Sequence, residues 1–234
     1  MRVLIFDTET NGLPAAYNVP YTVVENWPRV IQIAWQVWDV DAGVCLQRAS
    51  ALVKPDPTMV WNAEAAQIHG HTFPVVKKEG LPIHRVLGWF LGDAKEVDLI
   101  VAHNLKFDKA VLGAECLRLV NKGHAQFDIR EWWPRHELCS MLETVDVCKI
   151  PSKSEWRKKE DYKWPRLAEL FQHLFPGEEL PNNLHDAGED VACLVRCFRE
   201  LVKRRVLPLP DFRAVERPGD RFVKLFREVL KLLV

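Results

Sequence analysis

Four carboxylates and one histidine stand out in this chain by type and spacing. Asp7 and Glu9 flank Thr8 in the stretch Phe6-Asp7-Thr8-Glu9-Thr10, directly after the apolar run Val3 to Phe6. That run reads as a short buried strand ending at Asp7. Residues two apart on a strand point to the same face, so the two carboxylates project side by side at the strand end. Held that close, each raises the other's pKa. A hard divalent cation relieves the repulsion, which makes the pair a candidate Mg²⁺ or Mn²⁺ site. A bare D-x-E pattern is common; its position after four apolar residues is what distinguishes this one.

A second acid, Asp108, closes the segment His103-Asn104-Leu105-Lys106-Phe107-Asp108. An apolar run ends there and a helix pattern begins. Asn104 is the expected N-cap. Asp108 then lies one turn in, where the positive end of the helix dipole keeps it ionised. The competing reading is an acid placed for the dipole alone. A third cluster is His185-Asp186-Ala187-Gly188-Glu189-Asp190. Asp186 followed three residues later by Glu189 has the form of a capping box. His185 then falls just outside the helix on mobile backbone, and Asp190 on its first turn. A histidine beside several carboxylates is a candidate general base. The full set suits two-metal hydrolysis of a phosphodiester, with one ion helping to generate the attacking hydroxide and the other stabilising the leaving 3′ oxygen. Nothing in these residues by themselves chooses exonuclease over endonuclease action.

Positioning such a set takes an alternation of strands and helices. Val30 to Val40 alternates, with Ile31, Ile33, Trp35 and Val37 on one face, and Leu46 to Val53 reads as a third strand. A short helix over Asn62 to Ile68 stops at His69-Gly70. An amphipathic helix covers Ile83 to Leu91, a buried strand Leu99 to Ala102, and a long helix about Leu105 to Lys122. Leu138 to Met141 suggests a short strand. Pro165 is placed to open a helix running to about Leu174, and Asp186 to about Arg204 is a strong helix. Strands early and helices late predict an α/β layered domain.

The three clusters, taken in order, resemble the motifs of the DEDDh exonucleases of the ribonuclease H-like superfamily. FDTETNGLP is similar to the family's first motif, HNLKFD to its second and HDAGEDV, with His and Asp five apart, to its third. WPRVIQIAW and IHGHT resemble stretches that recur around the first motif. CSMLETVDVCKIP, KWPRLAELFQHLF and LHDAGEDVACLVRCFREL resemble small bacterial and bacteriophage members, related to the epsilon proofreading subunit of bacterial DNA polymerase III. The match extends over residues 1–205, which implies an exonuclease domain built on a mixed five-stranded sheet flanked by helices. It leaves 206–234 as a C-terminal extension. The resemblance implies that Asp7, Glu9, Asp108 and Asp190 hold two Mg²⁺ ions, with Mn²⁺ able to substitute, and that His185 deprotonates water. It also implies that Thr8, Thr10, Leu13, Asn104 and Phe107 line the terminal-nucleotide pocket, with His69 at its rim. Ordinary core packing is the competing reading for Leu13 and Phe107. The implied substrate is a DNA 3′ end, preferably single-stranded or frayed, in proofreading or repair. RNA ends are the alternative, and a non-catalytic nucleic-acid-binding or polymerase-recruiting subunit is the alternative of another class.

Composition narrows the setting. The chain has 234 residues, 48% of them hydrophobic, which is enough for one good core. Its 32 Lys and Arg balance 32 Asp and Glu, so nucleic acid would have to be held by local patches and metal rather than by bulk charge. One such patch surrounds residues 151–164, where lysines and arginines interleave with Trp156 and Trp164; the competing reading is a solvated surface loop. Another begins at Arg196, from which 11 basic and 5 acidic side chains lie before the end. There Phe222, Leu225, Phe226, Val229, Leu230 and Leu233 form an apolar stripe. It is expected to pack on the domain, or else to dock a polymerase or a second copy. The six cysteines make no C-x-x-C pair and read as small hydrophobes in a reducing compartment. With no apolar run long enough to span a bilayer and no leader pattern, a soluble cytoplasmic protein is expected.

Overall fold

The computed structural model describes residues 1–152, 162–207 and 209. In chain order these form β1 (Arg2–Thr10), β2 (Val30–Asp39), β3 (Val44–Leu52), α1 (Ala63–His69), α2 (Phe73–Glu79), α3 (Ile83–Ala94), β4 (Leu99–Ala102) and α4 (Leu105–Val120). After these come α5 (Ile129–Trp132), β5 (His136–Cys139), α6 (Ser140–Glu143), α7 (Val145–Cys148), α8 (Leu167–Leu174) and α9 (Ala187–Lys203). The strands make one mixed sheet in the order β3-β2-β1-β4-β5. β2 is antiparallel to both β1 and β3, while β1, β4 and β5 run parallel.

β1 sits at the centre and is buried on both faces. Its even residues Leu4 and Phe6 join Ile33 and Trp35 of β2 in a core closed by Phe90 of α3 and Leu112 of α4. Its odd residues Val3 and Ile5 join Val101 of β4 in a second core closed by Phe171 of α8 and Leu194 and Phe198 of α9. Truncating a side chain as deeply packed as Phe198 would cost about 3–5 kcal/mol. The loop after β1 is tied down by charge. Arg29 Nε donates to the buried Glu115 of α4 at 2.7 Å, and Arg118 Nη2 donates to the Trp27 carbonyl at 2.7 Å. Gly113 lets the same loop approach: a Cβ there would stand 2.7 Å from the Tyr21 ring.

Most expected elements appear close to their expected bounds, and β4 coincides with the reading from sequence. Three differ. β1 continues through Thr10, so Asp7 and Glu9 lie inside the strand rather than at its end. The short strand expected over Leu138 to Met141 is His136–Cys139, because Ser140 already begins α6. α8 starts at Leu167, after Arg166 rather than on Pro165. Most of the 151–164 stretch, including Trp156, and the apolar stripe of the tail lie outside the described residues. No helix among the described residues is long and apolar enough to cross a membrane.

Candidate active site

The site lies where the parallel strands part. β4 pairs with β1 only over Val3 to Ile5, so the second half of β1 has β2 on one side and an open cleft on the other. Clefts of this kind, beyond the carboxyl ends of parallel strands, are where α/β sheets place ligands. Asp7 and Glu9 continue the odd series of β1 and therefore face α9. From the start of α9 comes Asp190. Glu9, His185 and Asp190 each offer one ligand atom, and the three atoms lie within 4.8 Å of one another. Asp108 reaches the cleft from the other face of the sheet, and Thr8, an even residue, holds it: Thr8 Oγ1 donates to Asp108 Oδ1 at 2.7 Å.

The electrostatics bear the mark of crowded, buried carboxylates. Asp7 is held well above the usual carboxylate range, first by burial and then by Asp108, Asp190 and Glu9. Glu9 is pushed up to about 8 by burial and by Asp190 and Asp108. Burial pushes Asp108 up to about 7 against the pull of the Thr8 hydrogen bond. It pushes Asp190 up to about 6, while the backbone N–H of His185, donating at 3.1 Å, pulls Asp190 back. The helix dipole expected to favour ionised Asp108 is opposed by burial. At 2% exposure the loss of water pushes its carboxyl up.

The expected cap at Asn104 is corrected. Asn104 precedes α4 in the left-handed region (φ 72°) and its side chain makes no capping bond. An N-cap side chain reaches the N2 and N3 amides from extended backbone, which this turn does not have. Its carbonyl accepts from the Phe107 N–H at 2.9 Å instead. At α9 half of the expected capping box forms: Asp186 Oδ1 accepts from the Gly188 and Glu189 amides, but the Asp186 N–H bonds to the Asn183 carbonyl at 3.1 Å instead of to Glu189. His185 precedes that cap on a left-handed backbone, with φ 84°.

The remaining sequence-derived candidates are spread around the cleft. Leu13 is 74% exposed, so it is not a core residue. Phe107 is half-buried and packs towards Trp27, with ring centroids 6.4 Å apart. Thr10 Oγ1 donates to the Gly12 carbonyl at 2.7 Å and shapes the turn before Leu13. His69 lies beneath the rim, 5% exposed, and burial together with His71 pushes it down to about 4. With His71, Asn182, His185, Asp186 and Glu189 it lines a mostly polar cavity of about 470 Å³ beside the carboxylates. Sequence reasoning missed Gln32 and His71. A glutamine inside an apolar strand was the available signal, because a buried amide must be fully hydrogen-bonded.

Solved structures share the fold that carries this site. It is similar to E. coli exonuclease I in complex with a dT13 oligonucleotide, at 19% identity and TM-score 0.62, over 87% of this chain and 41% of that one. It is similar to the zinc-bound form of an E. coli exonuclease I–ssDNA complex, at 20% and 0.63, over 87% and 41%. The chain shares the fold of these exonucleases, a mixed five-stranded sheet flanked by helices. A 3′-exonuclease recognising the 3′ end of a histone mRNA stem-loop shares this fold at 11% identity and TM-score 0.55, over 87% of this chain and 82% of that one. No family model matches the sequence, and neither does any curated protein. The chain spans 41% of the length of exonuclease I, so at these identities the likeness is one of fold.

Proposed function

We propose that this protein is a metal-dependent 3′→5′ exonuclease of the DEDDh family, releasing nucleoside 5′-monophosphates from DNA ends. The observation that carries this reading is the convergence of Glu9, His185 and Asp190 within 4.8 Å, beside Asp7 and Asp108, in the cleft of an exonuclease fold.

The donor set fits divalent cations. Carboxylate oxygens are the hard ligands that Mg²⁺ and Mn²⁺ take. Buried acids whose pKa values are raised by one another are left in need of positive charge. Asp7, Glu9, Asp108 and Asp190 would hold the ions, and Mg²⁺ is the reading we favour. When bound, such ions supply Lewis-acid polarisation of the phosphate and make water easier to deprotonate. The chain supplies the rest. His185 accepts the proton of the attacking water through its imidazole. Thr8 fixes the orientation of Asp108. The cleft beside the carboxylates receives the terminal nucleotide, with Leu13 against its base, Thr10, Asn104 and Phe107 around it and His69 at the rim. The six free thiols suit a reducing, cytoplasmic setting. Residues 1–205 constitute the exonuclease domain in this reading, and Leu207 and Leu209 begin the extension by packing back onto the α9 core.

RNA is a second reading with its own support, since the RNA-recognising neighbour is matched over 82% of its length. One experiment separates the two. End-labelled single-stranded DNA, duplex DNA with a mismatched 3′ end and RNA are incubated with the full chain, with Mg²⁺ or with chelator. Mononucleotides released from the DNAs, and only with metal, support the proposal. Preference for RNA would change the substrate, and internal fragments appearing first would sink exonuclease action.

A further inference from the structure

Gln32 occupies an unusual place. It is on β2, directly paired with Glu9 in the β1–β2 ladder, and is 4% exposed. Its carboxamide is saturated. Nε2 donates to Asp186 Oδ2 at 2.9 Å and to Ser50 Oγ at 3.2 Å. Oε1 accepts from the Ala187 N–H at 2.9 Å and from His71 Nε2 at 2.8 Å. Chemistry fixes the orientation of this amide, because a backbone N–H can only donate and a carboxylate can only accept. Asp186 is shared: Oδ1 caps α9, while Oδ2 is held by Gln32, with His71 Nε2 3.6 Å away. The turn entering α9 is therefore bonded to the sheet through one side chain.

That turn contains His185, whose left-handed backbone is unfavourable for a residue with a side chain and must be imposed by its surroundings. Two groups impose it. The His185 N–H bonds to Asp190 from within α9, and Asp186 and Ala187 are pinned to Gln32 from the sheet.

We propose that Gln32 is a positioning residue, which locks the His185 turn at a fixed place relative to its ladder partner Glu9. The proposal rests on the nuclease reading, in which His185 is the proton acceptor. Gln32 itself touches no reacting atom. Its loss leaves the carboxylates in place but lets the imidazole wander, so turnover falls while binding of the 3′ end survives.

The test is a swap of donor and acceptor. Gln32→Glu keeps the acceptor facing Ala187 and His71 but sets a carboxylate against Asp186. Asp186→Asn restores a donor to that pair and keeps an oxygen to cap α9. We expect Gln32→Glu to lower kcat about 10- to 100-fold, the scale for supporting groups around a metal site, with KM within about threefold. The double variant Gln32→Glu/Asp186→Asn should return kcat to within about threefold of wild type. Amide hydrogen exchange over residues 184–190 should rise in the single variant and fall back in the double. Gln32→Met, which removes the bonds without adding charge, should show the same kcat loss if Gln32→Glu does not fold. A folded Gln32→Glu or Gln32→Met with wild-type kcat overturns the proposal, as does a folded double variant that shows no recovery. An inactive wild-type chain in the same assay overturns the nuclease reading, and this role for Gln32 falls with it.

Discussion

At the start of α4 the chain passes through Asn104 at φ 72° and enters packed core; at the start of α9 it passes through His185 at φ 84° and leaves that residue exposed. Both turns deliver an acid to the same cleft. Leu105 and Asp108 are sunk in the core, with Phe107 against Trp27 and one hydrogen bond from Thr8. His185 and Asp190 are held by a polar network of Asp186, Gln32, Ser50 and His71. Packing is dense and indifferent to small electrostatic changes, whereas a polar network works only when fully satisfied. The difference suits the two roles. Asp108 needs a fixed place, while His185 needs water and the freedom to exchange a proton.

The largest effects should come from the residues that the two turns deliver. Chelation should abolish release of nucleotides. Asp190→Asn should lower kcat on the order of 10³-fold, the rate equivalent of several kcal/mol of charge stabilisation. Near-wild-type turnover in chelator would break the shared-metal basis of the comparison. His185→Ala comes next, with a loss on the order of 10²- to 10⁴-fold in kcat for a missing general base. Its fold and 3′-end binding should survive, because the side chain is exposed. A filter-binding assay on single-stranded DNA reads the second half of that claim.

Stability against pH tests the buried side. Asp108 has a folded pKa raised to about 7, and Asp190 and Glu9 are raised to about 6 and about 8. Below about pH 3 all three are largely neutral whether the chain is folded or unfolded, and none is penalised. As pH rises, the unfolded chain ionises first and the folded protein loses stability until pH passes the folded values. The chelated protein should therefore show a Tm that falls between about pH 4 and about pH 8. Mg²⁺ should raise Tm more at pH 8 than at pH 5, since it binds the ionised carboxylates. Asp108→Asn keeps an acceptor for Thr8 and removes the charge. It should stabilise the chelated protein at pH 8 by on the order of 2 kcal/mol, and do almost nothing at about pH 3. A flat Tm profile in chelator would mean that the carboxylates are better solvated than their burial implies.

The same division explains what could be read from sequence. β4 is a run of four apolar residues and α9 a strongly periodic helix with Asp186 at its cap; both are local signals, and both were legible. The convergence of Asp7, Glu9, Asp108 and Asp190 was legible as three ordered motifs. Their burial was not, because solvent exclusion comes from helices distant in sequence. Asp108 reads locally as a dipole-stabilised acid and is in fact desolvated by the core around it. Gln32 offered one local signal, a glutamine inside an apolar strand, but its role was hidden for a related reason. Its partners are Ser50, His71, Asp186 and Ala187, the last 155 residues away, and no local pattern announces them.

The smallest effect should come from Asn104, where the conformation and the side chain can be told apart. Its side chain makes no capping bond, so its value to the fold is tolerance of the left-handed region. Glycine tolerates that region as well and costs mainly chain entropy, while alanine does not. Asn104→Gly should therefore change stability by less than about 1 kcal/mol, and Asn104→Ala should destabilise by about 1–2 kcal/mol. Urea unfolding in chelator measures both. Activity then separates two roles for the amide. If Asn104 only makes the turn, the glycine variant keeps wild-type KM and kcat. If its amide touches the terminal nucleotide, as the motif resemblance implies, the glycine variant raises KM although its fold is intact. That second outcome would narrow the contrast between the two turns: each would then present a polar side chain to the substrate, and only the means of support, packing or hydrogen bonds, would differ.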